Sequence, residues 1–108
     1  MQSKDLLQLA EQFGSPLYVY DAEKIKYAID LINEQNSDVI LFTGDIVNTH
    51  ATEMHPWVET FMGLHNPKFG KYSVLGNHDY GEYINWPSQK VKSDNFEAIK
   101  DLHRQIDF

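Results

Sequence analysis

The sequence predicts an α/β fold, with about three mainly parallel strands flanked by helices. Two observations lead to this prediction. First, short β-prone segments alternate with segments whose apolar residues recur at helical spacing, which is typical of a parallel sheet with helices on its faces. Second, the apolar run at residues 39–42 is continuous. Continuous runs of this kind are typical of strands that are buried on both faces of a parallel sheet.

Two helices and one strand are predicted in the first third of the chain. Apolar residues at helical spacing predict a helix over residues 6–13, which Gly14 would end. The β-prone run at residues 17–20 predicts a short strand. The helical pattern returns over residues 22–35, and Asp21 is a suitable N-cap. The apolar face of this second helix would be formed by Ile25, Ala28, Ile29 and Ile32.

The alternation continues in the rest of the chain. Strands are predicted at residues 39–42 and 72–75, with a helix over residues 53–64 between them. The last helix is predicted to begin at Asp94, because Glu97 three residues later gives a capping-box pattern. Its apolar face would be formed by Phe96, Ile99, Leu102 and Ile106.

The composition excludes several classes of protein. The 108 residues fit one small domain, and the net charge of −7 does not favour nucleic-acid binding. The absence of cysteine excludes disulfides, thiolate zinc sites and a cysteine nucleophile. No apolar run in the sequence has the length of a membrane span, and the N-terminus lacks a signal-peptide core. We therefore expect a cytoplasmic protein without a membrane segment.

Polar residues follow two of the predicted strands. Gly44 and Asp45 come after the run at 39–42, and Gly76, Asn77 and His78 come after the run at 72–75. Ligands of open α/β sheets bind beyond the carboxyl ends of the strands. Since parallel strands place these ends at the same edge, we expect Asp45 and Asn77 to converge.

These residue types suit divalent cations. A carboxylate such as Asp45 can bridge two metal ions, and the amide oxygen of Asn77 adds a neutral ligand. Two metal ions roughly 3.5–4 Å apart polarise a phosphoryl group and generate a hydroxide nucleophile. His78 could stabilise the developing charge or protonate the leaving oxygen. The two loops therefore indicate a metal-dependent phosphoester hydrolase.

The segments at residues 44–48 and 76–79 resemble the second and third signature motifs of calcineurin-like metallophosphoesterases. The segments at residues 28–33 and 95–99 look like those of bacterial members of that family. The resemblance runs from about residue 26 to the C-terminus, so residues 26–108 would form a partial metallophosphoesterase-type sheet. It implies that Asp45 is a metal-bridging ligand, Asn77 a metal ligand and His78 the catalytic histidine. Asp79 would be a supporting residue. The family site uses two divalent metal ions of the manganese, iron or zinc class, and its substrate here would be a small phosphoester.

The sequence departs from the family pattern elsewhere. The family's first-strand Asp-x-His is replaced by Asp21-Ala22-Glu23, and no later histidine motif follows His103. Asp21 could serve as a helix N-cap or, alternatively, as a replacement for the first-strand ligand. Two ligand residues do not fill the roughly eight to twelve coordination positions of two metal ions. We therefore expect an incomplete site, with a non-catalytic α/β remnant that binds at most a weak divalent cation as the alternative.

The first 25 residues resemble a different family. The segments at residues 6–10 and 13–21 are similar to the start of bacterial diaminopimelate decarboxylases, which suggests a fusion with a junction near residues 21–26. Those enzymes hold pyridoxal phosphate on a lysine in a later region, which has no counterpart here, so we expect no pyridoxal phosphate. The oligomeric state is left open.

Further aromatic and histidine residues have two interpretations each. His50 and His55 follow Asp45 and could approach a substrate, or they could be ordinary surface or capping groups. The loop after His78 is rich in aromatic residues that could line a substrate pocket or cover the sheet. These residues are Tyr80, Tyr83 and Trp86.

Overall fold

A computed structural model describes residues 1–16 and 19–108, and it is a mixed α/β structure with a small parallel sheet. The described elements are, in chain order, helix α1 (Ser3–Phe13), helix α2 (Ala22–Glu34), strand β1 (Ile40–Phe42), a 3-10 helix (Ala51–Trp57), helix α3 (Val58–Met62), strand β2 (Lys71–Ser73) and helix α4 (Gln89–Gln105). None of the described helices combines the length and the apolar character that a membrane crossing requires. The predicted α/β fold is confirmed.

The sheet has two described strands rather than three. β1 and β2 pair in parallel, with Ile40 opposite Lys71 and Phe42 opposite Ser73. Of the strand predicted at 17–20, residues 17 and 18 lie outside the described residues, and Val19 and Tyr20 are not in a strand. The parallel pairing brings the carboxyl ends of β1 and β2 to one edge.

The expectation that residues 39–42 are buried on both faces is wrong for the described chain. Helix α4 covers one face of the sheet, where the ring of His103 lies 5.9 Å from that of Phe42. On the other face the side chains of Leu41, Tyr72 and Val74 are exposed. Their exposure follows because no element within residues 1–16 and 19–108 covers that face.

The third predicted helix is two shorter helices. The chain forms a 3-10 helix from Ala51 and becomes α-helical at Val58. Pro56 explains the change, because proline has no N–H to donate and disfavours the α conformation of the residue before it. The predicted boundary at Glu53 was therefore two residues late.

Helix α4 begins earlier than the sequence predicted. Its N-cap is Ser88, whose hydroxyl oxygen accepts a hydrogen bond from the N–H of Val91 at 3.2 Å. Asp94 lies inside the helix and pairs with Lys90 one turn before it. The predicted capping box at Asp94 and Glu97 is therefore wrong. Both acidic residues lie inside the helix, where they form ion pairs along its surface.

The core lies between the segment after β1 and helix α4, directly beneath the carboxyl ends of the strands. Val47, Ala51 and Met54 pack there against Ile99 and Leu102 of α4. Ile99 is completely buried, as is Ile106 just after the helix. Of the four residues of the predicted apolar face, Ile99, Leu102 and Ile106 are buried, whereas Phe96 is half-buried and stacks on Tyr80. The core supports the loop that carries Asp45.

Candidate active site

The two polar loops meet at the edge of the sheet. Asp45 follows β1, and its carboxylate oxygen Oδ1 accepts a hydrogen bond from the N–H of His78 at 2.8 Å. Asp45 and Asn77 are exposed, and His78 is half-buried. The predicted convergence of the loops is therefore present in the structure.

Two glycines allow this close approach. A Cβ atom on Gly44 would lie 2.3 Å from the backbone nitrogen of Gly76, and a Cβ on Gly76 would lie 2.2 Å from Asp45 Oδ1. Both distances are far shorter than a normal contact, so any side chain at either position would push the loops apart. Asp45 itself has a φ of 60°, in the left-handed region that few residues other than glycine adopt.

The carboxylate of Asp79 links the two loops through hydrogen bonds to the backbone of both. It is completely buried and accepts three backbone hydrogen bonds. Oδ2 accepts from the N–H groups of Asp45 and Gly76, each at 2.8 Å, and Oδ1 accepts from that of Ile46 at 3.0 Å. One side chain thus fixes the backbone of both loops.

A second carboxylate, that of Glu53, orders the next part of the loop. It accepts hydrogen bonds from the consecutive N–H groups of residues 48, 49 and 50, at 2.7, 3.0 and 2.8 Å. Asn95 of α4 continues this pattern, because its side chain accepts from the N–H of Ala51 and donates to the carbonyl of Thr49. Sequence reasoning missed both residues, although a glutamate three residues after His50 has the spacing of a capping box.

His78 is held by the same loop. Its Nδ1 atom lies 2.9 Å from the backbone carbonyl oxygen of Asn48. A carbonyl oxygen can only accept, so Nδ1 carries the proton and Nε2 is the nitrogen available for proton exchange. The ring of Tyr83 lies against that of His78, with centroids 4.9 Å apart.

An open cleft of about 380 Å³ lies beside these residues. Asp45, Asn48 and His78 form its polar side, and Tyr20, Ile46 and Val47 form the remainder. The cleft is therefore a shallow depression at the edge of the sheet, where a small molecule could reach Asp45 and His78.

Asp21 is a helix cap in this structure. Its carboxylate accepts a hydrogen bond from the N–H of Lys24 at 3.2 Å and lies 3.6 Å from the amino group of Met1. The hydrogen bond from Lys24 is the main reason why the pKa of Asp21 lies below its ordinary value. Of the two interpretations of Asp21, the structure supports the N-cap.

The other histidines and aromatic residues have identifiable contacts. The ring of His50 lies 5.1 Å from that of Trp86, and His55 is exposed. Tyr80 stacks on Phe96 of α4. His65 and His103 each have a buried Nε2 atom without a hydrogen-bond partner among the described residues.

The donor chemistry of this edge fits a divalent cation in part. The carboxylate of Asp45 and the amide of Asn77 are exposed oxygen donors, and the glycine pair leaves no Cβ atom against the Asp45 carboxylate. Within the described residues, however, no group of three or more His, Asp or Glu side chains is placed to hold a metal ion. The described residues therefore offer exposed oxygen donors at this edge but no group of three that could hold a metal ion.

A family model described as calcineurin-like phosphoesterase matches residues 17–106. An uncharacterized metallophosphoesterase, YkuE, of Bacillus subtilis (strain 168) is 40% identical over 65 residues, which are 59% of this chain and 23% of that protein. A transmembrane protein with metallophosphoesterase domain of Danio rerio is 27% identical over 85 residues, which are 77% of this chain and 19% of that protein. No solved structure matches the chain significantly.

The chain thus spans about a fifth of the length of these relatives. The match to the family model begins at residue 17, within the segment for which the sequence predicted a separate origin. One relative is from a bacterium and the other is from Danio rerio, so the bacterial affinity inferred from the sequence stays a prediction.

Proposed function

This chain belongs to the calcineurin-like phosphoesterase family, and we propose that it forms part of a metal-dependent phosphoester hydrolase. The observation that carries the proposal is the hydrogen bond from the His78 N–H to the Asp45 carboxylate. This bond brings the backbone of His78 to the Asp45 carboxylate at the carboxyl ends of two parallel strands, and both residues line an open cleft. A small phosphoester is the proposed substrate, and nucleic acid is not.

We assign Asp45 and Asn77 to the metal and His78 to the reaction. Calcineurin-like phosphoesterases usually use divalent metal ions, and when bound, such ions polarise the phosphoryl group and activate the attacking water. The oxygens of Asp45 and Asn77 would hold the metal. The choice of manganese, iron or zinc, like the cytoplasmic location, rests on the sequence alone.

The role of His78 follows from its ring contacts. Because Nδ1 donates to the Asn48 carbonyl, the ring has a fixed orientation and a fixed tautomer. With Nδ1–H engaged by this carbonyl, Nε2 is the nitrogen that faces the reaction, and in the doubly protonated ring Nε2–H would give a proton to the leaving oxygen or stabilise the developing charge. Asp79 and Glu53 contribute by fixing the backbone on both sides, so that Asp45 and His78 need not reorganise during the reaction.

Calorimetric titration of the 108-residue chain with Mn²⁺ tests the metal assignment. We expect Asp45→Ala to weaken binding by about 100-fold or more, since loss of a ligand exceeds the 10–100-fold effect of removing an outer-shell partner. Asp38→Ala is the matched control, because Asp38 is an exposed aspartate that precedes β1, whereas Asp45 follows it. Equal losses in the two variants, or none in Asp45→Ala, would refute the assignment.

A second function has a specific observation in its favour. Because no cluster of three potential ligands exists within the described residues, the isolated chain could be a non-catalytic α/β remnant with a weak cation site. Hydrolysis of a chromogenic aryl phosphate in the presence of Mn²⁺ separates the two. Turnover that His78→Ala abolishes supports the hydrolase, and Mn²⁺ binding without turnover supports the remnant.

The division of the chain at residues 25 and 26 remains a proposal. In its favour, helix α1, all of which the structure describes, contains no buried residue. Against it, the family match begins at residue 17, and the comparisons give no support to a diaminopimelate decarboxylase origin of the first 25 residues. If residues 1–16 are foreign to the domain, their removal should leave Mn²⁺ affinity unchanged.

A further inference from the structure

The loop after β2 contains a tyrosine, Tyr83, that touches Asn77 and His78 of the same loop. The side-chain nitrogen Nδ2 of Asn77 donates a hydrogen bond to the hydroxyl oxygen of Tyr83 at 2.5 Å. The ring of Tyr83 also lies 4.9 Å from that of His78, tilted by 36°. Tyr83 is 63% exposed, so its ring does not belong to the hydrophobic core.

The contact with Asn77 matters because an amide group has two ends of almost the same shape. Only the carbonyl oxygen can bind a cation, whereas the NH2 group is a donor that a cation repels. A half-turn of the amide exchanges the two ends. In the structure the hydroxyl oxygen of Tyr83 accepts from Nδ2, and in this orientation of the amide its carbonyl oxygen is directed away from Tyr83.

We propose that Tyr83 is a positioning residue that presents the carbonyl oxygen of Asn77 to a divalent cation. The inference rests on the proposed function, since it takes Asn77 as a metal ligand. It replaces the two earlier interpretations of Tyr83, a lining of the substrate pocket and a cover of the sheet. Groups that orient a metal ligand in this way commonly contribute 10–100-fold to metal affinity.

The variant Tyr83→Phe isolates the hydroxyl group, because it keeps the ring against His78. We expect Mn²⁺ to bind about threefold to tenfold more weakly, at or below the lower end of the usual range because the hydrogen bond is exposed to water. The melting temperature of the metal-free protein should stay unchanged, because an exposed hydroxyl contributes little to folding. If Tyr83 served only to stabilise the fold, the melting temperature of Tyr83→Phe would fall and its Mn²⁺ affinity would stay unchanged.

The matched control is Tyr80→Phe. Tyr80 lies on the same loop, and its ring stacks on Phe96 instead of facing Asn77. We expect this variant to bind Mn²⁺ as the unaltered chain does. A readout that needs no metal is the NMR signal pair of the Asn77 side-chain NH2 group, which should move towards the shifts of a solvated amide in Tyr83→Phe and stay in place in Tyr80→Phe.

Several outcomes would overturn the inference. Unchanged Asn77 amide signals, or equal Mn²⁺ affinity of Tyr83→Phe and the unaltered chain, would refute it and leave the proposed function standing. A changed KM for an aryl phosphate with unchanged Mn²⁺ affinity would assign Tyr83 to the substrate instead. Failure of the unaltered chain to bind Mn²⁺ would refute the proposed function, and this inference with it.

Discussion

Helix α1 and the loop after β1 are stabilised in opposite ways. Helix α1 is regular, and its ends bond to the adjoining cap residues Gln2 and Gly14, yet it contains no buried residue. The loop at residues 45–51 is irregular, yet side chains from outside the loop accept hydrogen bonds from most of its N–H groups. Asp79 serves residues 45 and 46, Glu53 serves residues 48–50 and Asn95 serves residue 51.

The comparison shows that a regular segment need not be firmly attached to the rest of the molecule, and that an irregular one can be. A helix satisfies its own backbone, so it can form without strong contacts to the rest of the molecule. An irregular loop has to find partners for each buried backbone group elsewhere. Here the partners are carboxylates and an amide anchored in the core region, which makes the loop that carries Asp45 the better-fixed of the two segments. Functional groups on a loop need such support to keep their geometry.

The largest expected effect is that of Asp79→Ala. The substitution leaves three N–H groups without their acceptor in a fully buried position. Hydrogen bonds to a charged group contribute about 1.5–3 kcal/mol each and are not additive, so we expect the free energy of unfolding to fall by about 3–5 kcal/mol. The midpoint of urea unfolding measures this loss.

Asp101→Ala is the control for that experiment, since Asp101 is an exposed aspartate on α4 that pairs with Arg104 in the same helix. It should cost less than about 0.5 kcal/mol. If the two variants unfold at the same urea concentration, Asp79 does not fix the loops and the contrast drawn above fails.

A smaller loss is expected for Glu53→Gln. Glutamine keeps one oxygen acceptor but places an NH2 donor against the N–H groups of residues 48–50. We expect a loss of about 1–3 kcal/mol in urea unfolding. Because the Asn48 carbonyl would also shift, the ring carbon signals of His78 should change in NMR spectra. A loss of stability with unchanged His78 signals would show that Glu53 does not act on the site.

The sequence predicted which two loops meet better than it predicted what supports them. The meeting of the loops at Gly44–Asp45 and Gly76–His78 could be predicted because strand ends and glycines are local features. Among the acceptors, Asp79 was expected as a supporting residue from the family resemblance. Glu53 and Asn95 were not identified, and Asn95 lies 44 positions from Ala51 with no local pattern to link the two. Likewise, the start of α4 was misplaced because Asp94 fits a cap equally well by spacing, and only the tertiary structure selects Ser88.

A third, still smaller effect concerns His103, which joins α4 to β2 through Ser73 Oγ at 2.8 Å. Burial lowers the pKa of His103, and the charge of Asp79 opposes this in part. The unfolded state therefore binds more protons between the folded pKa and the unfolded value of about 6.5, so stability rises with pH across that window. On acidification below about pH 6.5, the unfolding free energy should fall.

His103→Gln removes this titration and leaves the other four histidines in place. The unfolding free energy of the variant, measured in urea at several pH values, should therefore decline less steeply below pH 6.5 than that of the unaltered chain. Parallel curves for the two proteins would show that protons bind His103 equally in the folded and unfolded states.

The smallest expected effect is that of Leu7→Ala, which tests α1 directly and is compared with Leu102→Ala in α4. Leu7 of α1 is 66% exposed, and Leu102 of α4 is 3% exposed. Leu7→Ala should change the unfolding free energy by less than about 0.5 kcal/mol, because little apolar surface returns to water. Leu102→Ala should cost about 2–5 kcal/mol, because it leaves a cavity under the loop. If Leu7→Ala costs more than about 1 kcal/mol in urea unfolding, α1 packs against the domain, and both the contrast and the proposed foreign origin of residues 1–25 lose their support.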